Sequence, residues 1–231
     1  MDTALKILES ALSSIERVLI ESRPEFVSSE RLRNLPSLKR VEIAMGLESA
    51  NDVVLQKSIN KRMVFDDFRK ASKVCADAGV KTRAYVLIKP PFLTEKEALV
   101  DAISTARLSS DLMDTISFNP INVQRNTLVE YLWRRGEYRP PWLWTVLDIV
   151  ESTRDLGSRI LVSTVGAGNR RGVHNCGRCD SSIIDFLESF SLNNQARPPE
   201  LECECRNEWL DLLEIQGPMQ TSVDPAFFFD R

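Results

Sequence analysis

From residue 18 to residue 165, short apolar runs bounded by turn residues alternate with longer segments of helical spacing. That alternation leaves few architectures open, because strands separated by helices of about ten to fifteen residues build βαβ units and a mostly parallel sheet. Val18-Leu19-Ile20 is the first run. It ends at Glu21, and Ser22-Arg23-Pro24 breaks it, since proline cannot donate to a sheet ladder. Further strands are expected at 41–45, stopped by Gly46-Leu47-Glu48, and at 81–88, closed by Pro90-Pro91. Two more are expected at 115–118, ended by Asn119-Pro120, and at 159–165. Helical patterns fall at 65–78, 94–107 and 141–156, and another at 3–16 carries Leu5, Leu8, Leu12 and Ile15 on one face. Gly79 stops the helix at 65–78, and Thr94 with Glu97 forms a capping box at the start of the next. Right-handed crossovers turn such a chain into an open doubly wound sheet or a barrel. In either, ligands bind beyond the carboxyl ends of the strands, which directs attention to Glu21, Glu48, Lys89 and Asn119.

After Gly166 the character changes. A basic glycine loop, 166–172, leads into a first cysteine pair, a helix at about 182–191, a polar linker at 193–199, a second cysteine pair and a short helix around Trp209. The chain is expected to divide into a βα part, 1–165, and a C-terminal extension, 166–231. Its 231 residues, 43% hydrophobic and 27% charged, exclude wholesale disorder. No apolar run approaches the 18 or so residues of a membrane span, and the first 25 residues lack a basic region ahead of an apolar stretch, so neither a span nor a signal peptide is expected. A cytoplasmic location follows as an expectation. The net charge of −3 argues against a globally basic nucleic-acid binder. Local patches remain: Tyr131-Leu132-Trp133-Arg134-Arg135 and Arg170-Arg171 suit unstacked RNA, or else are core tryptophans with solvated arginines.

Five cysteines are present. Cys75 stands alone in a helical pattern, and the other four form two tight pairs, Cys176/Cys179 and Cys203/Cys205. In a cytosolic chain disulfides are rare, so paired cysteines point first to metal. Two knuckles brought together give a tetrahedral thiolate site, which expects structural zinc. An iron–sulfur cluster and four free thiols are the alternatives. The CxC pair and the 23-residue gap are departures from the usual zinc spacing. His174, the single histidine, stands to replace one thiolate or to support the ligands from outside. That lone histidine excludes a hydrolase centre built on several. Glu21 and Glu48 can accept bonds from ribose hydroxyls or an ammonium group, and Arg23 and Arg62 can clamp a carboxylate; solvated loop residues are the plain alternative.

The strand ends together resemble a known family. Glu21-Ser-Arg-Pro-Glu25, Val41-Glu-Ile-Ala-Met-Gly-Leu-Glu48-Ser, Ser58-Ile-Asn-Lys-Arg62, Tyr85-Val-Leu-Ile-Lys-Pro-Pro91 and Ser117-Phe-Asn-Pro120 resemble radical S-adenosylmethionine enzymes of the elongator acetyltransferase group. The tail, His174-Asn-Cys-Gly-Arg-Cys-Asp180 with Glu202-Cys-Glu-Cys205 and Trp209, is similar to the radical subunits of archaeosine synthase. The resemblance implies a partial TIM-type (β/α) barrel. It implies that S-adenosylmethionine meets Glu21, Arg23, Glu48 and Arg62, with Lys89 and Asn119 where cofactor and substrate adjoin. It further implies transfer RNA as substrate, a lysine-adducted deazaguanine as the group converted to archaeosine, and a lysine-transferring archaeosine synthase subunit as partner. One departure is plain: such enzymes hold a 4Fe–4S cluster on a CxxxCxxC loop, and no such triplet occurs here. The expectation is that the chain starts inside the barrel, lacks the first βα units and their cluster loop, and is inactive without a separate N-terminal segment. A non-catalytic zinc-bearing module that binds RNA or a partner is the competing reading.

Overall fold

In the computed structural model, which describes residues 17–33, 35, 41–194 and 196–216, five strands form one fully parallel sheet. They are β1 (Val18–Ser22), β2 (Val41–Glu48), β3 (Lys81–Ile88), β4 (Thr115–Pro120) and β5 (Arg159–Val162), hydrogen-bonded in sequence order. The helices are α1 (Ser29–Arg33), α2 (Phe65–Asp77), α3 (Glu95–Ser109), α4 (Leu128–Arg134), α5 (Leu143–Thr153), α6 (Asp180–Asn193) and α7 (Cys205–Gln216). The fold is therefore α/β, as the alternation predicts. The helix expected at 3–16 lies outside the described residues.

Strand register sorts the side chains by face. Ile43, Met45 and Leu47 of β2, Ala84, Val86 and Ile88 of β3, Ile116 and Phe118 of β4, and Ile160 and Val162 of β5 share one face and are buried. They form a single core with Phe68, Ala71 and Cys75 of α2, Ala102 of α3, Ile149 of α5, Phe190 of α6 and Trp209 of α7. The connecting helices α2, α3 and α5 pack on that same side, as sequential strand order with the usual right-handed crossover requires. The other face carries Glu21, Glu42, Arg83, Tyr85, Ser117 and Asn119. The sheet thus has an apolar side under helices and a second side that carries most of its polar residues, interspersed with Leu19, Ala44, Leu87 and Leu161.

Several boundaries move for physical reasons. β2 continues to Glu48 because Gly46 still pairs with Tyr85, with an irregularity before Glu48 pairs with Val86. β5 ends at Val162 rather than 165, where Ser163 N–H makes a last bond to the Phe118 carbonyl. The short helix α4 escapes a reading by apolar period. It is set by its cap, in which the Thr127 hydroxyl accepts the Glu130 N–H at 3.2 Å. The capping box at Thr94 is present as expected, with Glu97 accepting the Thr94 N–H at 2.7 Å.

Candidate functional site

Two groups of chemistry-bearing side chains emerge. The first stands at the carboxyl end of the sheet's polar face. Glu21 is the fourth residue of β1, and its Oε1 accepts the Tyr85 hydroxyl at 3.1 Å. Burial, together with that bond to Glu21, raises the Tyr85 pKa. Glu48 closes β2 with a left-handed φ of +66°, a conformation that side-chain-bearing residues adopt at a cost. Its Oε1 lies 3.1 Å from Lys61 Nζ, which also donates to the Gly46 carbonyl. A Cβ at Gly46 would meet the Glu48 carboxylate and lie 3.1 Å from Lys61 Nζ, so a side chain there makes this pair shift. Toward the amino ends of the strands, Glu42 is buried under a two-pronged bond from Arg83, at 3.1 and 3.0 Å.

The other expected site residues fare differently. Arg23 follows β1 and pairs with Glu25 at 2.7 Å on the surface. Arg62 is exposed, with no hydrogen bond or ion pair recorded among the described residues, and its neighbour Lys61 reaches Glu48 instead. Lys89, also left-handed at φ +60°, is buried and turned away into the helix layer. Its Nζ meets Glu95 at 2.6 Å, and Glu95 also accepts from Trp142 N–H and the Thr145 hydroxyl. Asn119 lies in β4 on the polar face and donates to the Ser117 carbonyl at 3.3 Å. Glu21 and Glu48 therefore share the carboxyl end of the sheet, whereas Lys89 serves a buried ion pair. Lys61 and Tyr85 were not singled out in the sequence; Tyr85 was discoverable from the period-two alternation Lys81, Arg83, Tyr85.

The second group is the cysteines. Sγ atoms of Cys176, Cys179, Cys203 and Cys205 all lie within 4.8 Å of one another, a set able to hold a metal ion. Neighbouring sulfurs stand 3.4 to 3.6 Å apart. Four thiolates about 2.3 Å from one tetrahedral zinc would stand about 3.8 Å apart. Thiolates on four separate irons must spread wider, so this spacing fits a single ion and not a 4Fe–4S cluster. Gly177, at φ +89°, makes the first knuckle turn, and its N–H with that of Asn175 is held by Asp180, at 2.9 and 3.0 Å. Cys205 opens α7, which brings the second pair against the first.

Donors already aim at sulfur. Trp144 Nε1–H reaches Cys205 Sγ and Asn175 Nδ2 reaches Cys179 Sγ, each at 3.3 Å. Partial burial opposes ionisation of Cys176, but hydrogen bonds from Arg178 and the neighbouring thiols outweigh it and bring its pKa down to about 6. Burial pushes the Cys179 and Cys205 thiols up. His174 stays outside the group, with Nδ1 at 2.7 Å from the Gly172 carbonyl. Cys75 is fully buried in α2, and burial pushes its pKa to about 11, so it is an inert core thiol. No three-thiolate loop exists to hold a radical-generating cluster among the five cysteines. Among the described residues, no helix is long and apolar enough to cross a membrane.

Comparison with known proteins places these features. Archaeosine synthase subunit beta of Methanosarcina acetivorans is 39% identical over 208 residues, covering 87% of this chain and 60% of that protein. Archaeosine synthase subunit beta of Thermococcus kodakarensis is 38% identical over 222 residues, covering 92% of this chain and 68% of that protein. Among solved structures, the archaeal Methanocaldococcus infernus Elp3 with an N-terminal deletion superposes with a TM-score of 0.57 over 79% of this chain and 43% of that one. At 16% identity this is a likeness of fold alone. No protein-family model matches the chain. The chain spans about three fifths to two thirds of the length of these curated relatives.

Proposed function

This chain belongs to the archaeosine synthase subunit beta family, and we propose that it is part of an S-adenosylmethionine-dependent enzyme that modifies a transfer RNA base. The observation that carries the reading is the paired acids, Glu21 and Glu48, at the carboxyl end of a polar sheet face whose reverse is sealed by helices. We read the sheet as a section of a (β/α) barrel. Sequential strand order and the polar inner face support that, since a doubly wound sheet would reverse direction and cover both faces. On this reading Glu21 and Glu48 accept bonds from ribose hydroxyls or the amino group of S-adenosylmethionine. Arg23 and Arg62, the latter free to swing, take its carboxylate, and Asn119 faces the substrate. Lys89 holds the turn after β3 through Glu95 and does not touch the cofactor. The substrate is a lysine-adducted deazaguanine in transfer RNA, and the partner is the subunit that attaches the lysine.

Zinc is the ion proposed for Cys176, Cys179, Cys203 and Cys205, in a structural role, because four thiolates leave no open position. The cysteines do not fit the 4Fe–4S cluster that such chemistry uses, so no radical step is assigned to these residues. A thiolate loop supplied in cis or by a second polypeptide would have to provide it. That same misfit favours one second reading, a zinc-bearing module that binds RNA or a partner without catalysis. Calorimetric titration of S-adenosylmethionine into the zinc-loaded chain separates them. Saturable binding, weakened about tenfold or more by Glu48→Gln and by Glu21→Gln, supports the enzyme; affinity untouched by both substitutions contradicts the assigned face.

A further inference from the structure

A basic surface distinct from both groups above lies between β4 and α5 and on the loop after β5. Val123 N–H donates to the Arg171 carbonyl at 2.7 Å, and Arg171 Nε returns to the Val123 carbonyl at 2.9 Å, which sets the two loops side by side. Glu130 is buried beneath them. Its Oε1 accepts from Arg171 at 2.7 Å and Arg134 at 3.1 Å, while Oε2 takes the Asn126 N–H at 2.8 Å. Arg171 first, then these other donors, hold the Glu130 carboxyl down at about 2, so it stays ionised and keeps both guanidinium groups in place. Arg171 lies 4.9 Å from the Trp133 ring centre and Arg135 lies 5.4 Å from that of Tyr131. Tyr131 is 58% exposed. Arg125 and Arg170 are exposed, and no hydrogen bond or ion pair is recorded for either among the described residues. Five arginines thus face two carboxylates, Glu130 and Glu137, in a chain whose net charge is −3.

We propose that this surface binds a single-stranded segment of RNA. Arg125 and Arg170 take phosphates, and Tyr131, backed by Arg135, gives a base a plane to stack on. Exposed aromatic faces beside guanidinium groups suit unstacked bases and phosphates together. An acidic protein fits less well: Arg134, Arg135 and Arg171 already hold carboxylates, and it would leave the exposed ring unused. The choice of RNA rests on the transfer-RNA reading; the location rests on the side chains alone.

Fluorescence anisotropy with a labelled RNA of about 12 nucleotides, within the span of known single-strand sites, tests it. The double variant Arg125→Ala/Arg170→Ala should weaken binding about tenfold or more and flatten the dependence of log affinity on log salt by about 1.4, or 0.7 per lost phosphate contact. Tyr131→Ala should weaken binding about tenfold with the salt slope unchanged. Arg69→Ala/Lys70→Ala, exposed on α2 beside Asp66, should bind as the parent does. Thermal melts coincident with the parent's establish that each variant is folded. RNA binding by the parent that the double variant and Tyr131→Ala both retain overturns this surface, while the cofactor reading, judged by S-adenosylmethionine titration, stands. Absence of RNA binding by the parent, or competition by polyglutamate as strong as by RNA, also overturns it.

Discussion

Glu48 pays for its place. A left-handed backbone at a non-glycine residue costs about 1–3 kcal/mol, and what holds it is a small local set: Lys61 on its carboxylate, Gly46 leaving room, and Ser49 beyond it bonded to Asp101 at 2.7 Å. Gly46→Ala should therefore displace the Lys61–Glu48 pair, with a loss of S-adenosylmethionine affinity of about tenfold and little change in fold, read by titration and circular dichroism. Asp101 adds a pH signature. It is buried, its Oδ2 has no partner among the described residues, and burial raises its pKa from 3.8 to about 7 despite the Ser49 hydroxyl. Between about pH 4 and pH 7 the folded protein holds a proton that the unfolded chain has released. Stability supplied by this group is thus full at low pH, falls as pH rises through that window and levels off above it. Asp101→Asn, which imitates the protonated acid, should abolish that fall and raise the urea midpoint at pH 8. A variant that titrates like the parent would show that Asp101 is ionised throughout.

At the scale of elements, α6 and α7 join the core through Phe190 and Trp209, and one polar chain ties α7 to the end of β3. Trp209 of α7 donates to Thr145 at 2.9 Å, Thr145 donates to Glu95 at 2.5 Å, and Glu95 holds Lys89 at the end of β3. Structural zinc commonly contributes on the order of 10 kcal/mol of coupled folding energy. Cys179→Ser, or a strong chelator, should lower the melting temperature sharply, and the protein as purified should contain one zinc per chain; iron without zinc would contradict the assignment. Trp209→Phe keeps an aromatic ring but loses the indole N–H bond and some packing, and should cost about 1–3 kcal/mol in urea unfolding. The cysteine spacing was readable in the sequence because knuckles are local. Lys61 was not: nothing in Lys61-Arg62 says which cation turns toward Glu48, since that is settled by the path of the chain after residues 54–58. The partner of Lys89 is hidden for a similar reason, Glu95 being a buried first-turn residue of α3.

For the whole molecule, the parallel α/β order was legible because period and turn residues agree from strand to strand. The choice between doubly wound sheet and barrel section was not, because it depends on strand neighbours, and only the observed order β1 to β5 bears on it. That order leaves β1 and β5 as edges among the described residues, and an unpaired parallel edge is a place for further strands. We propose that this chain supplies a cofactor face and a zinc centre to an enzyme whose cluster loop lies outside these 231 residues. The deciding experiment is anaerobic iron–sulfide reconstitution followed by a dithionite assay for 5′-deoxyadenosine. The 231 residues alone should retain zinc, take up no 4Fe–4S cluster and release no 5′-deoxyadenosine. Adding a polypeptide that bears the CxxxCxxC loop should bring both cluster and cleavage. A stoichiometric cluster with turnover from this chain by itself would contradict the account.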